Sequence, residues 1–291
     1  MFEPVHLAAI MELNGRFHVV KIPLHQDLQR LLTASWQEQL YLFITDIDEV
    51  DFDAGYKPDS HERFRLNAFT LPGWLQGMNS QMVRTLESIQ RGNFDAIKSI
   101  AAFTRLENGN ELIMFQNFNH SNIIIPGSFL FLAHDYYEAM PHPGFSLDNK
   151  LSAVYTQHDG KLLFHNFRAT NIFLPLSDFY RESSEQDIRA ILAHNLFAPR
   201  DADALAVGAS QWFRKRFAML NDSHILDNYT AQDILHRSDG YAIHIELENE
   251  RVVFPSDKAS AKRLLQFLNE ELFKGAITET LYETNSKRES S

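Results

Sequence analysis

Glu250-Arg-Val-Val-Phe-Pro-Ser-Asp-Lys-Ala-Ser-Ala-Lys-Arg-Leu-Leu-Gln-Phe-Leu-Asn-Glu-Glu-Leu272 carries a strand, a helix start and an amphipathic helix in succession. Just upstream, Tyr241-Ala-Ile-His-Ile-Glu-Leu247 alternates apolar and polar residues, and Glu248-Asn-Glu250 reads as a turn. Arg251-Val-Val-Phe254 then returns as the second strand of a hairpin. Pro255 has no N–H to give a ladder and ends that strand. Ser256 or Asp257 can accept the first free amides of a helix. Ala261, Leu264, Leu265, Leu268 and Leu272 fall on one stripe at helical spacing. Lys258 and Lys262 flank the stripe, Arg263 and Phe267 project away from it, and Gly275 is a good stop. Phe267 therefore asks for a second apolar neighbour, and the following tail is the simplest one.

The same local logic organises the rest of the chain. Val5–Met11 and Phe17–Ile22 are strands around Asn14-Gly15, and Ala101–Leu106 and Glu111–Phe118 are strands around Asn108-Gly109. A third hairpin turns at Asp159-Gly160, and Asn171–Leu174 is a further strand. Helical spacing covers Asp27–Gln39, Met78–Gln90, Glu185–Asn195, Leu205–Leu220 and Ala231–Arg237. Tyr41–Thr45 reads as a short strand and Arg63–Leu71 as extended chain. Hairpins dominate the strand connections, which predicts an α+β fold with largely antiparallel sheets and helices packed on them. Two halves are expected: an N-terminal α+β domain over 1–120 and a C-terminal one over 145–291, joined by a packed connection at 121–144.

Composition narrows the function. Apolar residues make up 44% of the 291 and charged residues 22%, ordinary values for a folded protein. No apolar run reaches the roughly twenty residues that span a bilayer, and Pro126-Gly127 breaks the nearest approach. Glu3, Glu12 and Arg16 interrupt any secretory signal, so the expectation is a cytosolic protein. Zero cysteines exclude disulfides, thiolate metal sites and a cysteine nucleophile. The net charge of −11 argues against indiscriminate coating of nucleic acid. The charge is uneven. Residues 1–150 hold eleven Lys/Arg against eighteen Asp/Glu, whereas residues 251–291 hold seven against six. An anionic ligand is therefore expected on the C-terminal half.

Catalytic signatures are missing. There is no phosphate-binding glycine loop, no Gly-x-Ser-x-Gly and no His-Glu-x-x-His. The acidic run Asp46, Asp48, Asp51, Asp53 lacks the glycine and glutamate of a calcium loop and reads as a solvated acidic loop. Thirteen histidines are scattered, and neither metal nor cofactor is expected. A metal-dependent nuclease would want an Asp followed by Glu-x-Lys, and the nearest approach is Asp239 with Glu246-Leu-Glu248, in which a glutamate stands where lysine is needed. The densest positive cluster is Arg214-Lys215-Arg216, inside Trp212-Phe-Arg-Lys-Arg-Phe-Ala-Met219. Three consecutive helical residues span about 200° of a helix, so a surface patch is expected here. Trp212, Phe213 and Phe217 are expected in the core. Lys258, Lys262, Arg263, Lys287 and Arg288 could extend the patch, although a solvated face is their plainer reading. Such side chains serve phosphate contacts best.

The pattern Phe254-Pro-x-Asp-Lys258, Lys262-Arg-Leu-Leu-x-Phe-Leu-Asn-Glu270 and Thr278-x-x-Leu-Tyr-x-x-Asn-Ser-Lys-Arg288 resembles the C-terminal signature of the KwaB family. KwaB is the soluble component of the Kiwa anti-phage defence system. The run Leu147-Asp-Asn-Lys-Leu-Ser-Ala-Val-Tyr155, with Asp159-Gly-Lys-Leu-Leu-Phe-His-Asn-Phe167 and Ile172-Phe-Leu-Pro-Leu176, looks like the family's central hairpin. The likeness spans about the second half of the chain, with the elements in the family's order. It implies a defence effector that binds DNA without strong sequence preference and obstructs phage replication or transcription. It also implies a membrane-embedded partner, KwaA, which could hold the protein at the inner membrane, and a homo-oligomer. A nuclease built from non-contiguous carboxylates and a non-enzymatic protein-interaction module are the alternatives.

Overall fold

The computed structural model describes residues 2–53, 56–90, 93–176 and 182–284. The chain divides into two compact units, Met1–Phe52 with Pro58–Leu176, and Asp53–Lys57 with Ser177–Ser291. Helices and largely antiparallel strands make it an α+β protein.

The first unit contains β1 (His6–Leu13), β2 (Arg16–Lys21), α1 (Gln26–Ile44), β3 (Asp48–Asp51), β4 (Glu62–Leu66) and α2 (Ser80–Thr85). It continues through β5 (Ile97–Arg105), β6 (Glu111–Asn117), β7 (Ile123–Ile124), β8 (Leu130–Ala133), β9 (Tyr136–Ala139) and β10 (Gly144–Phe145). It ends with β11 (Ala153–Thr156), β12 (Lys161–Phe164) and α3 (Phe167–Thr170). Eight strands form one sheet in the order β2-β1-β5-β6-β11-β12-β4-β3, antiparallel except for β3 on β4. All three expected hairpins are present. Asn14 (φ 50°) and Gly15 (φ 73°) make the first tight turn in the left-handed region that such turns demand. Trp36, Gln39, Leu40 and Phe43, at helical spacing, bury one face of α1 in a core with Leu7, Ala9, Met11, Ile100 and Met114.

Several expectations about this unit are corrected. Tyr41–Thr45 is no strand: Leu40 and Phe43 continue the buried stripe of α1, so packing overrides the local β preference. The Met78–Gln90 helix shrinks to α2. Asn79 caps its start, and the chain after Thr85 turns to the edge of β2, where Lys21 donates to Glu87 O and accepts from Ile89 N. Asn171–Leu174 is a turn, since the amides of Phe173 and Leu174 both return to Thr170 O. The acidic run is not a free loop, because its middle is the edge strand β3. There Arg65 lies 2.8 Å from Asp51 and 3.6 Å from Glu49, and Lys161 lies 2.9 Å from Glu49. The hydrogen bond to Asp51 lifts Arg65 above its ordinary pKa.

The boundary between the units also lies elsewhere than the sequence suggests. β11 pairs with β6 and β12 with β4, so the third hairpin completes the first sheet and the division falls after Leu176. The 121–144 segment is an excursion from that sheet rather than a packed connection between domains. Ile125, Phe129, Leu130, Leu132, Tyr136 and Tyr137 are all exposed along it.

The second unit contains α4 (Glu185–Leu192), β13 (Phe197–Pro199), α5 (Ala202–Val207), α6 (Gln211–Asp222), α7 (Ile225–Asn228) and α8 (Ala231–Arg237). After these come β14 (Leu247–Glu248), β15 (Arg251–Phe254), α9 (Lys258–Leu268), β16 (Leu272–Lys274) and β17 (Leu281–Glu283). The 205–220 helix is two helices, because Gly208 closes α5 and Ser210 opens α6. α8 starts and stops where its periodicity says, with Thr230 and Asp233 forming a reciprocal cap.

The opening stretch folds largely as read. Its turn, Asn249 (φ 50°) and Glu250 (φ 60°), places two non-glycine residues in the left-handed region. Glu250→Gly is accordingly expected to raise stability by about 0.5–1 kcal/mol, readable as a higher midpoint in chemical denaturation; a lower midpoint would contradict it. Ala261, Leu264, Leu265 and Leu268 are buried with Ile188, Phe197, Phe217 and Phe254. Two details differ. Asn269 terminates α9, donating through its side chain to Leu265 O, while Gly275 belongs to the β16–β17 hairpin, where its N–H reaches Thr280 O. Phe267 meets the ring of Tyr241 edge-on at 5.4 Å, so an upstream residue supplies its second neighbour.

Candidate nucleic-acid interface

The expected phosphate-binding side chains separate into three groups. Arg216 turns inward from α6: its Nε lies 3.0 Å from the Glu271 carboxylate, with the two side chains only 12% and 4% exposed. Its guanidinium also covers the Trp212 ring at 4.0 Å, and Asn269 Nδ2 donates to Arg216 O. Arg214 closes the start of the same helix. Its Nε donates to Ala209 O at 3.1 Å, and its head lies 3.7 Å from Glu185. Lys215 is half-buried between them. The expectation of an open patch at Arg214–Arg216 is therefore corrected. Each helical step of about 100° aims a neighbouring residue at a different wall, and two of those walls carry glutamates.

The second group lies on α9. Asp257 caps this helix by accepting from Ser260 N, a bond that holds its carboxyl below the usual range and keeps it ionised. Lys258 and Lys262 follow one turn apart and are exposed. Lys262 Nζ stands 5.4 Å from the centroid of Trp212, whose ring thus serves Arg216 and Lys262 together. Arg263 reaches Glu283 at 3.4 Å, an exposed pair that water screens. The positive end of the helix dipole and two lysines thus share the first two turns of α9.

The third group, Lys287 and Arg288, lies outside the described residues.

Beside α9 lies a cleft of about 530 Å³, lined in part by Arg200, His244, Glu246, Ser256, Ser260 and Arg263. Arg200 bridges Glu246 at 2.7 Å and Glu248 at 4.0 Å. The two glutamates considered for a nuclease thus face a guanidinium from the end of β13. Among the described residues, no group of three or more His, Asp or Glu side chains comes together as a metal site.

Sequence reasoning missed Arg200, Glu271 and the role of Trp212. Arg200 and Glu271 sit just beyond the ends of elements, where no periodicity marks them. For Trp212 a signal existed: Arg216 follows it by four residues, the spacing at which helical side chains meet.

Comparison with protein families, with curated proteins and with solved structures finds no match for this chain.

Proposed function

We propose that this chain is a DNA-binding anti-phage defence effector of the KwaB type, contacting duplex phosphates through the exposed face of α9. In this reading it obstructs phage replication or transcription without strong sequence preference. It works in the cytoplasm as a homo-oligomer alongside the membrane-embedded partner KwaA. The family likeness of residues 147–176 and 254–288 motivates the assignment. The observation that carries the choice of surface is the pair Lys258 and Lys262, exposed at the positive end of an eleven-residue helix, whereas Arg214 and Arg216 are committed to glutamates and backbone carbonyls. Two or three phosphate contacts at one face also suit a chain whose net charge is −11, because that charge discourages binding elsewhere.

Titration of duplex DNA against salt tests this. Each neutralised phosphate contributes about −0.9 to the slope of log K against log salt, so α9 with Arg263 predicts a slope of about −2 to −3 per chain. Absent or salt-insensitive binding would overturn the reading. Cleavage requiring magnesium or manganese would favour the nuclease instead.

The non-enzymatic interaction module has a separate observation in its favour. Leu130 pairs with Ala139 and Leu132 with Tyr137, which puts four exposed, uncharged side chains on one face of the β8–β9 hairpin. Faces of that kind mark protein contacts. The hairpin belongs to the first unit and α9 to the second.

A further inference from the structure

We propose that the cleft formed by His6, Lys21 and Arg84 in the first unit is a binding site for a small phosphate-class oxyanion. The cleft has a volume of about 280 Å³, and Gln29 completes its polar lining. Its three basic groups come from three elements: His6 from the start of β1, Lys21 from the end of β2 and Arg84 from α2. Among the described residues, no aspartate or glutamate lines it. In a chain with 38 acidic residues against 27 Lys/Arg, a concave site of wholly basic ionisable lining is a marked local reversal of sign.

Among the described residues, neither Lys21 nor Arg84 lies within ion-pair distance of a carboxylate. Lys21 Nζ has only the carbonyl of Arg84 at 3.2 Å. Two cations that line one cleft without an anion repel one another, and a bound oxyanion relieves that repulsion. His6 reports the same field. Burial, then the charge of Arg84, lowers its pKa against the weaker opposing pull of Glu3. Its ring is therefore neutral at pH 7 and offers one N–H. Gln29 Nε2, which also donates to Val5 O, lies 3.2 Å from Nδ1 and places that proton on Nε2.

The site is also pre-organised. Lys21 N–H donates to Glu87 O, Ile89 N–H to Lys21 O, and Ile22 N–H to Leu7 O. These bonds fix β1, β2 and the segment after α2 on one frame, so the basic heads need no backbone rearrangement to meet an anion. A fork-shaped guanidinium beside an ammonium and a neutral imidazole N–H matches the several acceptor oxygens of a phosphoryl group. The volume lies at the small end for ligand sites, which suits inorganic phosphate or a compact phosphate ester.

The test is calorimetric titration of the full chain with inorganic phosphate at pH 7.5, with sodium chloride holding ionic strength constant. Saturable binding is expected, at least about tenfold weaker in both Arg84→Gln and Lys21→Met, because each removes a hydrogen bond to a charged ligand. Circular dichroism separates lost binding from lost folding, and either variant suffices if the other misfolds. Arg237→Gln, exposed at the end of α8 in the other unit, should leave the affinity unchanged. Acetate binding as tightly as phosphate would make the site a general carboxylate site and overturn the phosphate assignment. No saturation by concentrations on the order of 10 mM, or unchanged affinity in Arg84→Gln, would overturn the site itself.

Discussion

Glu271→Gln is expected to destabilise the second unit by about 3–5 kcal/mol, the cost of leaving a buried charge without its partner. Glu271 sits between α9 and β16 with its side chain 4% exposed, and its carboxylate lies 3.0 Å from Arg216 Nε. Glutamine keeps the shape but removes the charge, so the Arg216 guanidinium retains only the Trp212 ring and a neutral oxygen. The loss should be read as a transition of the second unit at lower urea by circular dichroism. Replacing both partners, as in Arg216→Met with Glu271→Leu, should restore much of the stability, since apolar pairs of similar volume tolerate such sites. A change below about 1 kcal/mol in the single variant is the value for an exposed pair and would contradict this placement.

Phe254→Ala carries the other large effect, again about 3–5 kcal/mol. Phe254 closes β15, the middle strand of β13-β15-β14, and is fully buried. Its ring stacks on Phe217 and meets Phe197 edge-on, both at 5.6 Å. Truncation therefore opens a cavity where β15, β13 and α6 converge, and it removes two aromatic contacts as well as transfer energy. Phe254→Leu fills most of that space and should cost distinctly less. Equal losses for Ala and Leu in urea denaturation would mean that backbone distortion, not cavity volume, sets the effect.

What was legible in the sequence was what short-range chemistry determines. Asn14-Gly15, Asn108-Gly109 and Asp159-Gly160 located three hairpins because few residues tolerate those backbone angles. Asp257 and the stripe from Ala261 to Leu268 located α9 because cap and periodicity are both local. Non-local pairing was out of reach. Nothing in Glu62–Leu66 announces that it joins β12, a hundred residues on, and that pairing moved the boundary from 121–144 to Leu176. The same limit governed the site. Arg214-Lys215-Arg216 looks like a patch until Glu271, fifty-five residues away in sequence, is seen to neutralise its last member. Lys258 and Lys262 flank the leucine stripe in the sequence and are exposed as their solvated reading expects; what the sequence did not show was that their neighbours Arg214 and Arg216 are committed elsewhere.

The measurement that bears most directly on the account is the salt dependence of duplex DNA binding by Lys258→Ala/Lys262→Ala beside that of the unaltered chain. The account predicts a slope shallower by about 2 and weaker binding at every salt concentration, because two phosphate contacts are lost. Arg214→Ala should leave the slope unchanged. An unaltered slope in the double variant, or a shallower one in Arg214→Ala alone, would contradict the placement of DNA on α9.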